Sequence, residues 1–127
     1  MNRPDDESLP IGELSRLTGV SVRALRHYEQ NHLLDAVRTS SGHRRFARGD
    51  VENVRRIRLL LNAGLPLAIV AQVIPCFVDD GARLDACVSD YLHDHLGTIR
   101  ARIDALDDLQ AATRFLQRLV VASSDRP

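Results

Sequence analysis

The 127 residues predict a mainly α-helical chain with a basic front half and one long helix toward the C-terminal end. Three observations carry this. Between residues 11 and 74, apolar residues recur at helical spacing in short runs broken by glycine, serine and proline. From residue 87 or 88 to 121 they recur at alternating threes and fours, with no proline and no glycine after Gly97. The third is charge. Residues 11–62 hold ten arginines against five acidic residues, whereas 63–127 hold six against nine. The whole chain balances at seventeen of each sign, so the separation is the informative feature: the front suits phosphate and the back suits protein.

Residues 1–9 are polar and acidic and read as a disordered leader, and Pro10 opens the first helix. Ile11, Leu14 and Leu17 share one face of that helix. Thr18-Gly19-Val20-Ser21 breaks the pattern: Gly19 can take the positive φ that ends a helix, and Ser21 can cap the next. From Val22 a second helix turns Leu25 inward and spreads Arg23, Arg26, His27 and Gln30 over its outer faces. Arginines near the start of such a helix suit a DNA major groove, where guanidinium groups meet guanine edges or phosphates. Val37-Arg38-Thr39 and His43-Arg44-Arg45-Phe46 then flank a turn at Ser40-Ser41-Gly42, predicting a two-stranded wing. A third helix starts at Asp50, with Val51, Val54, Ile57, Leu60 and Leu61 as its apolar stripe. Ala63-Gly64 ends it, and Pro66 fits the first turn of a fourth helix carrying Leu67, Val70 and Ile74.

The stretch from 11 to 46 resembles the N-terminal domain of the MerR family of transcription regulators. The resemblance rests on IGEL at 11–14, TGVSV at 18–22, ALRHYE at 24–29, LL at 33–34, Arg38 and GHRRF at 42–46. It continues through Asp50-Val51 and Ala63-Gly64-Leu65 to about residue 74. His32 stands where the family usually has glycine, Ala36 where proline is common, and His43 where tyrosine is usual. The resemblance implies a winged helix-turn-helix DNA-binding domain over residues 10–75. It further implies a dimer that binds a near-palindromic operator and distorts promoter DNA for RNA polymerase, using backbone clamps more than base reading. The implied DNA contacts are Ser21, Arg23, Arg26, His27 and Tyr28 on the second helix, and Arg38, Ser41, Gly42, His43, Arg44 and Arg45 on the wing. Arg56 and Arg58 join them on a second DNA-facing edge. Tyr28 also reads as a core residue, and Arg56 and Arg58 also read as a solvated face. Leu14, Leu17, Leu25 and Leu33 read as core.

Residues 76–86 read as a polar linker turning at Asp79-Asp80-Gly81. In the helix over 87–121, the seam is Leu92, Leu96, Ile99, Ile103, Leu106, Leu109, Thr113, Leu116 and Val120. One helix cannot bury that seam on itself, so it predicts a homodimer through a coiled coil, which the family builds antiparallel. Residues 122–127 read as a tail. Cys76 and Cys87 flank the linker and suggest a thiol redox switch, with ordinary packed thiols as the bland reading. In metal-sensing members of the family, a cysteine near the start of the long helix binds metal with partners from a loop after it. No cysteine follows residue 87 here, so the expectation is no metal and no cofactor, with a metal-responsive regulator kept as an alternative. A DNA-bending architectural protein is the alternative of another class. No phosphate-cradling glycine loop, metal-ligand quartet or nucleophile–base pair points to an enzyme. No run reaches the length of a membrane span, and the N-terminus lacks signal-peptide character, predicting a cytoplasmic protein.

Overall fold

The structure, a computed structural model, describes residues 8–122. It divides into two units, residues 1–85 and 86–127. In the first unit, helix α1 (Ile11–Thr18) follows an extended Pro10 and ends where Gly19 turns left-handed at φ 73°. The Gly19 N–H donates to the Ser15 carbonyl at 2.9 Å. The turn is held by side chains of its own residues. The Thr18 hydroxyl donates to the Leu14 carbonyl at 2.8 Å and accepts from the Val20 N–H at 3.2 Å. The Ser15 hydroxyl donates to the Val20 carbonyl at 2.6 Å. Helix α2 (Val22–Gln30) starts at Ser21, whose hydroxyl accepts from the Ala24 N–H at 3.1 Å and satisfies one orphan donor of the first turn.

The strands are short. Strands β2 (Val37–Arg38) and β3 (Arg44–Ala47) form the expected wing, with Arg38 opposite Arg44 and Val37 opposite Arg45. Strand β1 (Ser8–Leu9) adds to the other edge of β3, pairing Ser8 with Ala47 and Leu9 with Phe46 in the order β1-β3-β2. This corrects the leader assignment for residues 8 and 9. Leu9 is buried, and its apolar side chain is what draws the chain onto the sheet. The rest of the predicted leader lies outside the described residues, as does most of the predicted tail.

Helix α3 (Asp50–Asn62) buries Val54, Ile57 and Leu60, and α4 (Leu67–Val73) buries Val70 and Val73. Gly64, at φ 84°, and an extended Pro66 separate the two helices. With Leu14, Val20, Leu25 and Phe46 these residues make the core, at roughly 1.5–3 kcal/mol for each large apolar side chain. Leu17 is not among them. It is 39% exposed, because α1 meets its neighbours along the face of the fully buried Leu14. The predicted linker is also more ordered than polar composition suggested. Strands β4 (Phe77–Val78) and β5 (Arg83–Leu84) pair antiparallel across a turn in which Asp79, Asp80 and Gly81 all have positive φ.

In the second unit, a 3-10 turn at Ala86–Val88 leads into α5 (Ser89–Leu119). The helix therefore begins one or two residues later than expected and ends earlier. Val120 already has extended backbone and lies beyond its last turn. No helix among the described residues is long and apolar enough to cross a membrane.

Candidate nucleic-acid interface

The cap at Ser21 points the first turn of α2 outward, and Leu25 anchors the helix from beneath with no exposed surface. Arg23, Arg26, His27 and Gln30 consequently lie on the open side, where they line a shallow surface together with Ser21. Arg26 also lines a neighbouring groove with Gly42, His43, Arg44 and Arg45 of the wing, floored by Pro10, Ile11 and Phe46. One arginine thus joins the helix face to the wing. The Ser21 hydroxyl accepts from backbone and keeps its own hydrogen for an outside acceptor.

The wing tip is built by its polar residues. The Thr39 N–H donates to the His43 carbonyl at 2.8 Å, and the Gly42 N–H donates to the Thr39 carbonyl at 2.9 Å. The Thr39 hydroxyl accepts from the His43 N–H at 3.2 Å and lies 2.9 Å from the Ser41 hydroxyl. Gly42 sits at φ 86°, a conformation that L side chains rarely adopt. Arg38, Ser41, His43 and Arg44 are exposed around this tip.

Three of the expected contacts have side chains engaged within the protein, and a fourth, Arg58, is open. Tyr28 belongs to the core, with 5% of its surface exposed. Burial pushes its phenol above the ordinary range, while the Arg58 charge pulls the other way. Arg45 points along the sheet: its Nε donates to the Ser8 hydroxyl at 2.6 Å and a terminal nitrogen to the Ser8 carbonyl at 2.9 Å. Alternation along β3 puts it on the face opposite Arg44, so it ties β1 down. Arg56 packs its guanidinium over the Phe77 ring at 5.6 Å and against Gly81, and is half-buried there. Arg58 stays exposed, beside Thr18, Val54, Arg55, Leu59 and Asn62.

The sequence reading missed Glu29. Its carboxylate lies 3.5 Å from a terminal nitrogen of Arg44, joining the last turn of α2 to the wing. The available signal was an acid one helical turn past Arg26, in a segment whose other charged helix residues are basic. Cys76 is half-buried and sits 3.6 Å from the Gln72 carbonyl, and Cys87 is exposed; both are thiols. Among the described residues, no three of His, Cys, Asp and Glu come together as a set that could hold a metal ion.

The family described as "MerR HTH family regulatory protein" matches residues 9–75, more than half of the chain. The chain is 32% identical over 110 residues to the HTH-type transcriptional regulator HmrR of Sinorhizobium medicae, covering 86% of this chain and 72% of that protein. It is 35% identical over 105 residues to the nodulation protein NolA of Bradyrhizobium sp., covering 82% of this chain and only 41% of that protein. It is 29% identical over 120 residues to heavy metal-dependent transcription regulator 2 of Rhizobium meliloti, covering 92% and 79%. Among solved structures, HiNmlR, described as a MerR family regulator lacking the sensor domain and bound to promoter DNA, matches with a TM-score of 0.57 at 23% identity. That match covers 87% of this chain and 91% of the other, and at such identity it shows the shared fold. The matched residues 9–75 take in α2, the wing and the α3–α4 pair. By that match and by its similarity to HmrR, the chain belongs to the MerR family of DNA-binding transcription regulators.

Proposed function

We propose that this regulator binds a near-palindromic promoter operator as a homodimer, with α2 in the major groove and the wing on the flanking phosphates. The observation that carries the reading is the shared position of Arg26, which lines both the α2 surface and the wing groove. A continuous cationic path from helix to wing matches a duplex that turns from groove to backbone. Within it, Arg23, Arg26 and His27 are the groove-facing set, and Arg38, Ser41, His43 and Arg44 the phosphate-facing set. Arg58 contributes from α3. Tyr28, Arg45 and Arg56 act indirectly, by holding the elements that carry the others.

The dimer forms through α5. Leu106 and Leu109 are each 63% exposed in the single chain, and Ile99, Ile103 and Leu116 lie on the same seam. Thr113 fits this apolar seam because its hydroxyl already donates to the Leu109 carbonyl at 2.8 Å. An antiparallel pairing of two such helices sets two DNA-binding units a fixed distance apart. Distortion of the intervening promoter DNA then lets RNA polymerase read it, in the cytoplasm where the DNA lies.

For the signal we favour oxidation of Cys76 and Cys87, which flank the β4–β5 hairpin in the sequence. Similarity to the heavy metal-dependent regulator of Rhizobium meliloti favours a metal as the second reading. The test selects bound duplexes from genomic fragments with the wild-type chain, then with Arg23→Ala and Arg26→Ala. The wild type should enrich a sequence with inverted half-sites, and either substitution should weaken binding by about 1–3 kcal/mol. Enrichment of bent but unrelated sequences would instead identify an architectural protein. Transcription from the selected duplex is then compared for reduced, oxidised and metal-treated protein and for Cys76→Ser and Cys87→Ser. Loss of the oxidant response in either cysteine variant supports the thiol switch, and a response to metal alone replaces it.

A further inference from the structure

The free protein carries an acid beside its cationic path, against Arg44. Glu29 and Asp35 are the acidic residues of 14–49, and Glu29 lies on α2 itself, one turn after Arg26. Its carboxylate is mostly covered, with 17% of the side chain exposed, and lies 3.5 Å from an Arg44 guanidinium that is 53% exposed. A carboxylate on a phosphate-binding surface repels the ligand, so its presence there asks for a reason. The wing supplies one. Arg38 stands directly opposite Arg44 in the β2–β3 ladder, and like charges opposed across a strand pair destabilise it. In the free chain, Glu29 is the anion that offsets this repulsion.

We propose that Glu29 is a specificity-determining residue that stands in for a DNA phosphate. It holds Arg44 in place before DNA arrives and penalises any binding register in which Arg44 does not bridge it to a phosphate. In the correct register a backbone phosphate reaches Arg44 and Arg38 together, and Arg44 bridges phosphate and carboxylate. In a wrong register the Glu29 charge faces phosphate unbridged. The penalty thus falls on non-specific DNA more than on the operator. Glu29 touches no base, and its role as a positioning residue runs through Arg44. The inference rests on the DNA-binding reading above and adds how that surface discriminates.

The test uses the full-length chain with two probes: a duplex enriched from a random library by the wild type, and the unselected pool of the same length. Affinity for each is measured against salt. Glu29→Gln should bind the pool about three- to ten-fold tighter, with a salt slope steeper by about one unit because Arg44 is free for any phosphate. Its affinity for the selected duplex should stay within about two-fold, so discrimination falls. Arg44→Gln, at an exposed position, gives an independent arm and should lose more on the selected duplex than on the pool. In the Arg44→Gln background, Glu29→Gln should no longer change the ratio between the probes. An unchanged ratio and slope in Glu29→Gln would overturn the inference alone. So would an equal effect with and without Arg44, or equal losses on both probes in Arg44→Gln. A wild-type chain that enriches no duplex would overturn the DNA-binding reading, and the inference with it.

Discussion

His32 is a residue where local geometry and side chain disagree. It follows α2 at φ 61°, in the left-handed region that non-glycine residues adopt at a cost of about 1 kcal/mol. The surrounding bonds impose this. The Leu33 N–H donates back to the Tyr28 carbonyl at 2.9 Å and the His32 N–H to Glu29 at 3.0 Å, closing the helix in a Schellman-type cap. The resemblance noted glycine at this position, and the backbone explains why. His32→Gly should therefore raise stability by about 0.5–1 kcal/mol, less the added freedom of the unfolded chain, since the exposed imidazole has no core packing to lose. Thermal unfolding followed by helical circular dichroism checks this. A lower melting temperature would mean that the imidazole holds the cap in some other way.

At the scale of elements, the β4–β5 hairpin depends on a guanidinium from another element. A methyl group built on Gly81 would come within 2.5 Å of an Arg56 nitrogen, and the same guanidinium lies over Phe77. Gly81→Ala should cost about 1–2 kcal/mol, part from the positive φ and part from displacing Arg56 from the ring. Denaturant unfolding of Gly81→Ala, alone and with Arg56→Ala, checks it, and the two costs should fall short of additive. This hairpin is also one of the elements that local sequence does not encode. The α1–turn–α2 unit, the wing and the α3–α4 boundary are legible because their signals are local: Gly19, Ser21, the Ser40-Ser41-Gly42 turn triplet, and Pro66. Strands of two residues carry no such signal. Ser8 and Leu9 become a strand only because β3 offers its edge some forty residues later. Likewise the hairpin at Phe77 becomes ordered where Arg56 packs on it. The same non-locality misplaced single residues. Helical spacing put Leu17 on a face with Leu14 but could not say where the neighbouring elements end. The run of arginines could not reveal that Arg45 is engaged by Ser8 and Arg56 by Phe77.

At the scale of the whole molecule, the proposed dimer rests on the exposed seam of α5. A 31-residue helix extends about 46 Å at 1.5 Å per residue, and a row of leucines along it stays in water until a partner arrives. Replacing Ile103 and Leu106 together by glutamate would place charges at the middle of the seam. Sedimentation should then show a monomer where the wild type shows a dimer, with the helix-turn-helix unit still folded. A dimer that survives the double substitution would move the interface off this seam. Monomers would also bind a two-half-site duplex far more weakly, because the second half-site would no longer be held at high effective concentration.

Hydroxyl-radical footprinting of the wild-type chain on the duplex it selects bears most directly on the claim that α2 and the wing clamp a symmetric operator. Two protected half-sites of mirrored pattern, spaced by whole helical turns, are expected, with the steps between them distorted. Both half-sites should be lost together in Arg23→Ala/Arg26→Ala. A single asymmetric patch, or a footprint that survives those substitutions, would contradict the claim.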